Sequence, residues 1–416
     1  MDCATYCETA LTPAEKALVE AAAKGELVDF SEGKSADLSQ AASWGPERTI
    51  RARVLRDLVT GEGGYPAAKE IVVKAAKIPD ALDLHFQDIR VPITLMECSI
   101  EGAIELTNTS IHSLNLTGSC IAGLLAHGLR VKYDLLFDRI TVKGAVKLSC
   151  AHVAGVFTCA QARLVNPGSI ALDASASTFA GGVFLRGSQV WGEVLFVVAK
   201  IDNSLNADGA VLDNGDGRAL SADGIIIKHG AYLRNDFRSR GEVRFFSAQI
   251  GGDLDCTSAK LENPKKGALL SDGAKITGCM SFRQASIIGY LQLTQSHVGA
   301  NLECGGATLE NPSGNTFCAD GIRVGGNVNF IERFRSNGTV RLLHARVDGS
   351  IVCFGASFVK PSVTTSQQLP REPTDVALGL DDVAIGGSVR FADGFVASGS
   401  VRLIGASRLR KNSGNT

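Results

Sequence analysis

The most constraining feature of this 416-residue sequence is a repeat with a step of 48 or 49 residues. A motif of the form Gly-x-[Val/Leu]-x-[Leu/Phe] recurs at Gly144, Gly192, Gly241, Gly289, Gly338 and, after a longer step, Gly399. We call a set of residues that recur at this spacing a column. Two further columns keep the same spacing: Val153, Ile201, Ile250, Val298 and Val347, and then Cys159, Ala207, Cys256, Cys304 and Cys353. Three columns with one spacing indicate a solenoid, in which each repeated unit packs only against its neighbours.

A shorter spacing predicts what each unit contains. From about Ala81 an apolar residue occurs at every fifth or sixth position, which neither a helix nor a long strand explains. A coil of four short strands explains this spacing, because each side of the coil contributes one inward side chain before the chain turns. We therefore predict an all-β solenoid, a right-handed parallel β-helix of the quadrilateral type, with about 13–14 coils over residues 76–410.

Every second coil carries an insertion of six or seven residues, which explains the related segments "LDCTSAKLENPKKG" and "LECGGATLENPSGN". We expect its asparagines to project along one edge about 10 Å apart, two coil spacings: Asn166, Asn214, Asn263 and Asn311. Loops on one side of a solenoid often form its binding surface. The alternative is that this corner simply tolerates insertions. A further insertion at Ser362–Asp375 predicts a mobile loop.

The first part of the chain has helical patterns instead. Residues 1–75 are predicted to form a short N-terminal α-helical cap, which shields the first coil from edge-to-edge pairing. One helix begins at Thr12, as an N-cap with a capping box, and ends at Lys24. A second lies within Pro46–Gly61. Residues 411–416 are expected to be a disordered tail.

Composition limits the kinds of partner. The chain has 42 basic and 43 acidic residues, which argues against general attraction to nucleic acid or to an anionic membrane. The N-terminus lacks the pattern of a signal peptide, and no apolar run reaches the roughly 18 residues of a membrane helix. Eleven cysteines without a CxxC pair favour reduced thiols. We expect a cytoplasmic protein with no membrane span and no nucleic-acid partner.

Several segments resemble a known family. "ANLEC", "AKLEN" and "ATLEN" resemble pentapeptide repeats, which implies a right-handed quadrilateral β-helix with small and large apolar residues packed inside. The segment "WGPERTIRARVLRDLVTG" followed by such a solenoid is similar to an actinobacterial group often labelled membrane-associated oxidoreductases. That layout implies an oxidoreductase, although the chain has no Gly-x-Gly-x-x-Gly between a strand and a helix.

The cysteine column predicts core packing. Cys159, Cys256, Cys304 and Cys353 would lie about 10 Å apart where they are two coils apart, too far to share one metal ion. Small buried thiols that fill the interior are the better interpretation. We expect no metal site and no cofactor.

Aspartates give the candidate catalytic residues. If the protein is an enzyme acting on an elongated polysaccharide, Asp320, Asp381 and Asp382 are the acids to test, because such enzymes cluster aspartates. The alternative is structural: Asp followed by Gly is typical of a tight turn with a left-handed glycine.

Arginines give candidate anion-binding residues. Three of them recur at steps of 48 and 49 residues: Arg186, Arg234 and Arg283. Stacked guanidinium groups repel one another unless acids or an anionic ligand lie between them. Either the nearby Glu193, Asp236 and Glu242 neutralise them, or they bind phosphate or carboxylate groups of a ligand.

Together these patterns favour a non-catalytic binding or scaffold protein, which holds a protein partner through its loop edge or a flat sheet face. The C-terminal "RLRKNSGNT" has no obvious cap, so end-to-end or C-terminal self-association is also expected. The polysaccharide enzyme and the oxidoreductase remain the alternatives.

Overall fold

A computed structural model describes residues 10–360 and 375–409, except the side chain of Lys265. The chain is an all-β parallel solenoid with about 14 turns in all and few helices, which confirms the predicted fold class. It forms two compact units, which divide between Arg163 and Leu164. Two predicted segments, the tail at 411–416 and most of the insertion at Ser362–Asp375, lie outside the described residues.

Among the described residues before Ile71 there are three helices: α1 at Pro13–Lys24, a 3-10 helix at Leu38–Ser43 and α2 at Ala52–Thr60. The first begins as predicted. The Thr12 hydroxyl accepts a hydrogen bond from the Glu15 amide, while the Glu15 carboxylate accepts one from the Thr12 amide. Gly25, at φ +77°, ends the helix in the left-handed conformation.

An ion pair joins the two α-helices. The Glu15 side chain is fully buried and accepts hydrogen bonds from the Arg51 backbone amide (3.0 Å) and guanidinium (2.6 and 2.7 Å). Burial acts to raise the pKa of Glu15, but the bonds from Arg51 and Thr12 outweigh it and lower that pKa. The helix predicted within Pro46–Gly61 begins later, because the preceding residues form a turn and Thr49 bridges to Lys77.

In the first unit each complete turn contains four short strands, so a turn has four sides. The strands form three parallel sheets, which we call A, B and C, and sheet B covers two sides. Sheet A comprises Leu27–Asp29, Ile71–Lys74, Ile93–Met96, Leu114–Asn115, Leu135–Leu136 and Phe157–Thr158. Sheet B comprises Lys77–Ile78, Ser99–Ile100, Cys120–Ile121 and Thr141–Val142 on one side, and Leu82–Asp83, Ile104–Glu105, Leu124–Leu125 and Val146–Lys147 on the other. Sheet C comprises Asp88–Ile89, Ser110–Ile111, Arg130–Val131 and His152–Val153.

In the second unit the strands of sheet B are longer and cover both sides. Eleven-residue strands lie at Arg163–Asp173, Val211–Ser221, Lys260–Leu270 and Thr308–Cys318. They alternate with seven-residue strands at Gln189–Leu195, Arg238–Arg244, Ser286–Gln292 and Arg335–Arg341. The last part of sheet B comprises Ser357–Val359, Val376–Gly379, Val396–Ser398 and Ser400–Arg402.

Sheets A and C of the second unit keep short strands. Sheet A comprises Val183–Phe184, Leu205–Asn206, Ala231–Tyr232, Leu254–Asp255, Met280–Ser281, Leu302–Glu303, Val328–Asn329, Ile351–Phe354 and Val389–Ala392. Sheet C comprises Thr178–Phe179, Lys200–Ile201, Ile226–Ile227, Gln249–Ile250, Lys275–Ile276, His297–Val298, Arg323–Val324, Arg346–Val347, Ala384–Ile385 and Ser407–Arg408.

The register explains the period in the sequence. In sheet A, Leu205 pairs with Ala231, 26 residues later, and Ala231 pairs with Leu254, 23 residues later. A long and a short turn therefore add up to the 49-residue step. The inward side chains fill the core, where the rings of Phe330, Phe334 and Phe358 lie 4.8–5.6 Å apart.

Candidate functional site

Each eleven-residue strand of the second unit contains an excursion, at residues 166–170, 214–218, 263–267 and 311–315. Between Asp213 and Leu220 the chain takes seven steps, where the paired strand takes three between Arg240 and Val243. The excursion is thus four residues longer than its neighbour. In every excursion the asparagine side-chain amide donates a 2.7 Å hydrogen bond to the carbonyl four residues later: Asn166 to Ile170, Asn214 to Arg218, Asn263 to Gly267 and Asn311 to Asn315.

The asparagines therefore do not project as expected. Asn263 is 2% exposed and Asn311 8%, while Asn166 and Asn214 are half-buried. Their amides satisfy a carbonyl that would otherwise lack a partner and so hold the excursion closed. The insertions lie at the predicted corner, but the side chains of their asparagines turn inward to close the excursion.

The exposed part of each excursion is its tip, formed by the residues that follow the asparagine. We call the row of tips the excursion edge, and its exposed members include Pro167, Asp216, Pro264 and Pro312. Successive excursions are two turns apart, or about 10 Å at the usual strand spacing. The edge is therefore a regular row of small, rigid or polar groups.

The repeated glycine makes room for the excursion of the turn before it. A Cβ at Gly289 would lie 2.5 Å from the Asn263 carbonyl oxygen and 2.6 Å from that of Lys266. Its φ of +115° is also one that side chains rarely adopt. Gly192, Gly241 and Gly338 make equivalent close approaches. The glycine column that indicated a repeat thus also identifies the turn next to each excursion.

Two lysines donate hydrogen bonds to carbonyl groups of the excursions. The Lys266 ammonium donates a 3.3 Å hydrogen bond to the Asp216 carbonyl, 50 residues earlier. The Lys360 ammonium likewise donates to the Gly314 carbonyl at 3.2 Å, and partial burial lowers the pKa of Lys360. Sequence reasoning missed both contacts, because neither lysine belongs to a repeated column.

A concavity of about 380 Å³ lies beside the fourth excursion. Tyr290, Gln292, Ser313, Asn315 and Cys318 are among the residues that line it. Its wall offers hydroxyl and amide groups but no charged side chain, which suits hydrogen bonding to a neutral surface.

The candidate catalytic acids bind groups of the next turn. Asp320 forms an ion pair with Arg341 and accepts a 3.1 Å bond from the Leu343 amide. Asp381 pairs with Arg402 at 2.7 Å and accepts a 3.0 Å bond from the Ile404 amide. Both carboxylates therefore stabilise contacts between turns.

The third acid, Asp382, adopts φ +54° at a corner and lies 3.5 Å from a ring nitrogen of His344. The backbone of His344 bonds to that of Asp381, and the strand of Arg341 lies between the turns of Asp320 and Asp381. The structure therefore brings Asp381 and Asp382 together as chain neighbours but places Asp320 two turns away.

The three candidate arginines differ in their surroundings. Arg234 bonds to Asp208 (2.8 and 3.1 Å) and lies 3.6 Å from Asp255. Burial acts to raise the pKa of Asp208, but the Arg234 bonds lower it overall. Arg283 pairs with Glu332 at 2.8 Å. Arg186 is exposed and lies 5.4 Å from the ring centre of Phe184.

The counter-charges of these arginines are Asp208 and Asp255 for Arg234, and Glu332 for Arg283. Of the acids expected from the sequence, Glu242 pairs with Arg244, an arginine of a second repeated basic column, at 3.6 Å. Arg234 meets its partners on the adjoining turns, whereas Arg283 meets Glu332 two turns away, and linear distance in the sequence does not identify these partners.

The cysteine column lies in the core. Cys159, Cys256, Cys304 and Cys353 are buried and free. Burial raises the pKa of each thiol, that of Cys353 to about 12. Over residues 10–360 and 375–409, no group of three His, Cys, Asp or Glu side chains is placed to hold a metal ion.

No family model matches this chain, and no curated protein matches it in sequence. Within the same described residues, no helix is long and apolar enough to cross a membrane.

Proposed function

We propose that this protein is a non-catalytic scaffold, which holds a protein partner through the excursion edge. The observation that carries the proposal is the construction of that edge. Four excursions recur on alternate turns, each closed by an asparagine amide at 2.7 Å. A row of preformed loops binds with little loss of conformational entropy, and loops on one side of a solenoid are suited to partner binding.

The chemistry of the edge favours a polar protein surface as the partner. The first tip exposes Pro167, Gly168 and Ser169. The second and third tips also expose charged side chains, those of Asp216, Arg218 and Lys266. The adjoining concavity at Tyr290 and Asn315 adds hydroxyl and amide groups. Such groups form hydrogen bonds without the cost of burying a charge.

The bonds of the acids support a scaffold more than an enzyme acting on a polysaccharide. The carboxylates of Asp320 and Asp381 each bind an arginine and a backbone amide of the next turn. This proposal also includes three expectations from the sequence: the resemblance to pentapeptide-repeat proteins, the similarity to the actinobacterial group and a cytoplasmic location.

The test compares partner capture by the wild-type chain and by a variant with two excursions removed. Residues 263–268 and 311–316 are each replaced by Gly-Glu, the two residues at the same place in the strand Arg238–Arg244. A control variant carries Lys275→Gln and Arg323→Gln on sheet C. We expect mass spectrometry of material captured from lysate to identify a partner with wild type and control but not with the shortened variant. Equal capture by all three proteins would refute the excursion edge as the binding surface.

The last described turn favours a second role, self-association. Val396 is 53% exposed, Ile404 65% and Phe391 38%. Within the described residues, Ser400–Arg402 and Ser407–Arg408 pair with a strand on one side only. Exposed apolar side chains beside strands are typical of sites where chains associate. Sedimentation should show a dimer that Ile404→Asp with Val396→Asp converts to a monomer; a wild-type monomer at all concentrations would contradict this role.

A further inference from the structure

The outer face of sheet C in the second unit carries a run of basic side chains in direct register. Lys275 pairs with His297, His297 with Arg323, and Arg323 with Arg346. All four side chains are exposed, one on each of four consecutive turns. We call these four residues the cation ladder. Its members lie about 4.8 Å apart along the sheet, as neighbouring strands do.

The charges of the ladder are largely uncompensated. Among the described residues, no acidic side chain lies within ion-pair distance of Lys275 or Arg323, and only Asp348 pairs with Arg346, at 2.9 Å. Arg323 and Arg346 are the like charges on adjacent strands of the ladder, and they repel one another.

The neighbouring sheet shows that this chain does compensate stacked charges elsewhere. On sheet B, Asp213 pairs in register with Arg240, and Arg240 pairs with Glu262. Positive and negative side chains thus alternate over these three turns. On the same sheet Arg238 and Lys260 are in register as two like charges, of which Lys260 pairs with Asp236 at 3.5 Å. The four positions of the ladder include no acidic residue, although the whole chain has a formal net charge of only -1.

A shallow trough runs beside the ladder. The outward positions two residues on are glycines at Gly299 and Gly325, where a Cβ would lie 2.2–2.3 Å from a carbonyl oxygen of the preceding turn. At Gly325 a concavity of about 270 Å³ opens, which is lined by His297, Arg323, Val324, Gly325, Arg346 and Asp348. One carboxylate, that of Asp348, therefore lies beside the two arginines, and it is already paired with Arg346 at 2.9 Å. On the turns before and after, the same outward positions hold Thr277 and Asp348, so the trough spans the turns of Gly299 and Gly325.

We propose that the cation ladder binds inorganic polyphosphate, a linear chain of phosphate groups. A thin polyanion can lie in the trough and contact successive turns, and its charges relieve the repulsion between the ladder residues. Arginine and lysine are the side chains that proteins use for phosphate groups.

The same surface suits other polyanions less well. The ladder and its glycine column contain no Phe, Tyr or Trp, the side chains on which the bases of single-stranded nucleic acids stack. An extended acidic peptide places every second side chain on one face, about 6.6–6.8 Å apart, which does not match the turn spacing. This inference concerns sheet C and is independent of the excursion edge on sheet B.

The experiment measures binding of fluorescently labelled long-chain polyphosphate to the full chain by anisotropy, at several salt concentrations. The test variant is Lys275→Gln with Arg323→Gln. The matched control is Arg238→Gln with Lys260→Gln, one arginine and one lysine paired on sheet B. We expect the test variant to lose about tenfold or more in affinity, and its plot of log affinity against log salt to flatten by about 1–2 units. The control should stay within about twofold of wild type.

Competition experiments identify the polyanion. Unlabelled polyphosphate should displace the probe, whereas a single-stranded oligonucleotide or polyglutamate of equal charge should do so at least about tenfold less well. Stronger displacement by either competitor, equal loss in the two variants, or no binding to wild type would overturn the proposal. Thermal denaturation checks that the test variant is folded. Since the changes remove repulsion, its melting temperature should not fall.

Discussion

Replacing Gly289 with alanine should destabilise the third excursion far more than an ordinary glycine substitution does. The new Cβ would lie 2.5 Å from the Asn263 carbonyl oxygen and 2.6 Å from that of Lys266. Both obstacles are backbone atoms, so the excursion itself has to move. The hydrogen bond that closes it, from Asn263 to Gly267, would then be lost or lengthened.

The magnitude follows from two costs. A left-handed conformation costs a residue with a side chain about 1–2 kcal/mol. Forcing an extra carbon into packed surroundings adds about 1–3 kcal/mol. Gly289→Ala should therefore lower the free energy of unfolding by about 2–5 kcal/mol. Gly273→Ala is the matched control, because Gly273 also has a positive φ (+66°) but its Cβ would meet only the Ser247 hydroxyl, at 3.6 Å.

The assay combines chemical denaturation with hydrogen exchange. We expect Gly273→Ala to cost about 1–2 kcal/mol, and Gly289→Ala to cost more and to speed amide exchange specifically in Lys260–Leu270. Equal costs for the two variants, within about 0.5 kcal/mol, would refute the reasoning. So would faster exchange spread evenly over the second unit.

Three further predictions follow from other contacts. Iodoacetamide should modify exposed Cys150 in the native protein but Cys256 only after unfolding, because burial raises the pKa of the Cys256 thiol and blocks access to it. Peptide mass spectrometry measures the labelling, and modification of Cys256 in the native protein would contradict this prediction. Glu15→Gln should destabilise the helical cap by about 3–5 kcal/mol. Because the pKa of Glu15 is lowered in the folded state, its contribution to the free energy of unfolding is complete above the ordinary glutamate pKa of about 4.3. That contribution is lost as the pH falls through the folded-state pKa. Hydrogen exchange in α1 that does not respond to acid would contradict this prediction. A double-mutant cycle of Asp320→Asn and Arg341→Gln should give a coupling of about 1 kcal/mol in unfolding free energy, and additive effects would argue against a structural pair.

The sequence repeat predicted the solenoid because each turn imposes the same local requirement on the sequence, and this requirement recurs many times. Each side of a turn needs one inward apolar residue, and each long-plus-short pair of turns adds the same number of residues, as Leu205, Ala231 and Leu254 show. The first helix was predictable for a similar reason. The N-cap and the capping-box partner, Thr12 and Glu15, are only three residues apart.

The candidate site was less predictable because its contacts join residues far apart in the chain. Lys266 reaches Asp216, and Arg283 reaches Glu332, 49 residues later. The sequence showed that Asn263 lies at an insertion, but it did not show that the side-chain amide of Asn263 donates a hydrogen bond to the carbonyl of Gly267. The spacing of residues along the sequence identifies which of them recur at equivalent positions in successive repeats. The direction of a polar side chain depends on its hydrogen-bond partners, and the spacing does not identify those partners.

The alternation of eleven- and seven-residue strands also limits how such a chain can evolve in length. Each excursion faces a glycine such as Gly241 or Gly289 in the following turn. Loss of a single turn would place two excursions, or two glycines, side by side. Loss or duplication of a pair would leave every neighbour unchanged. Tandem duplication within the gene should therefore proceed in segments of two turns, and related chains should differ in length by multiples of about 48 residues.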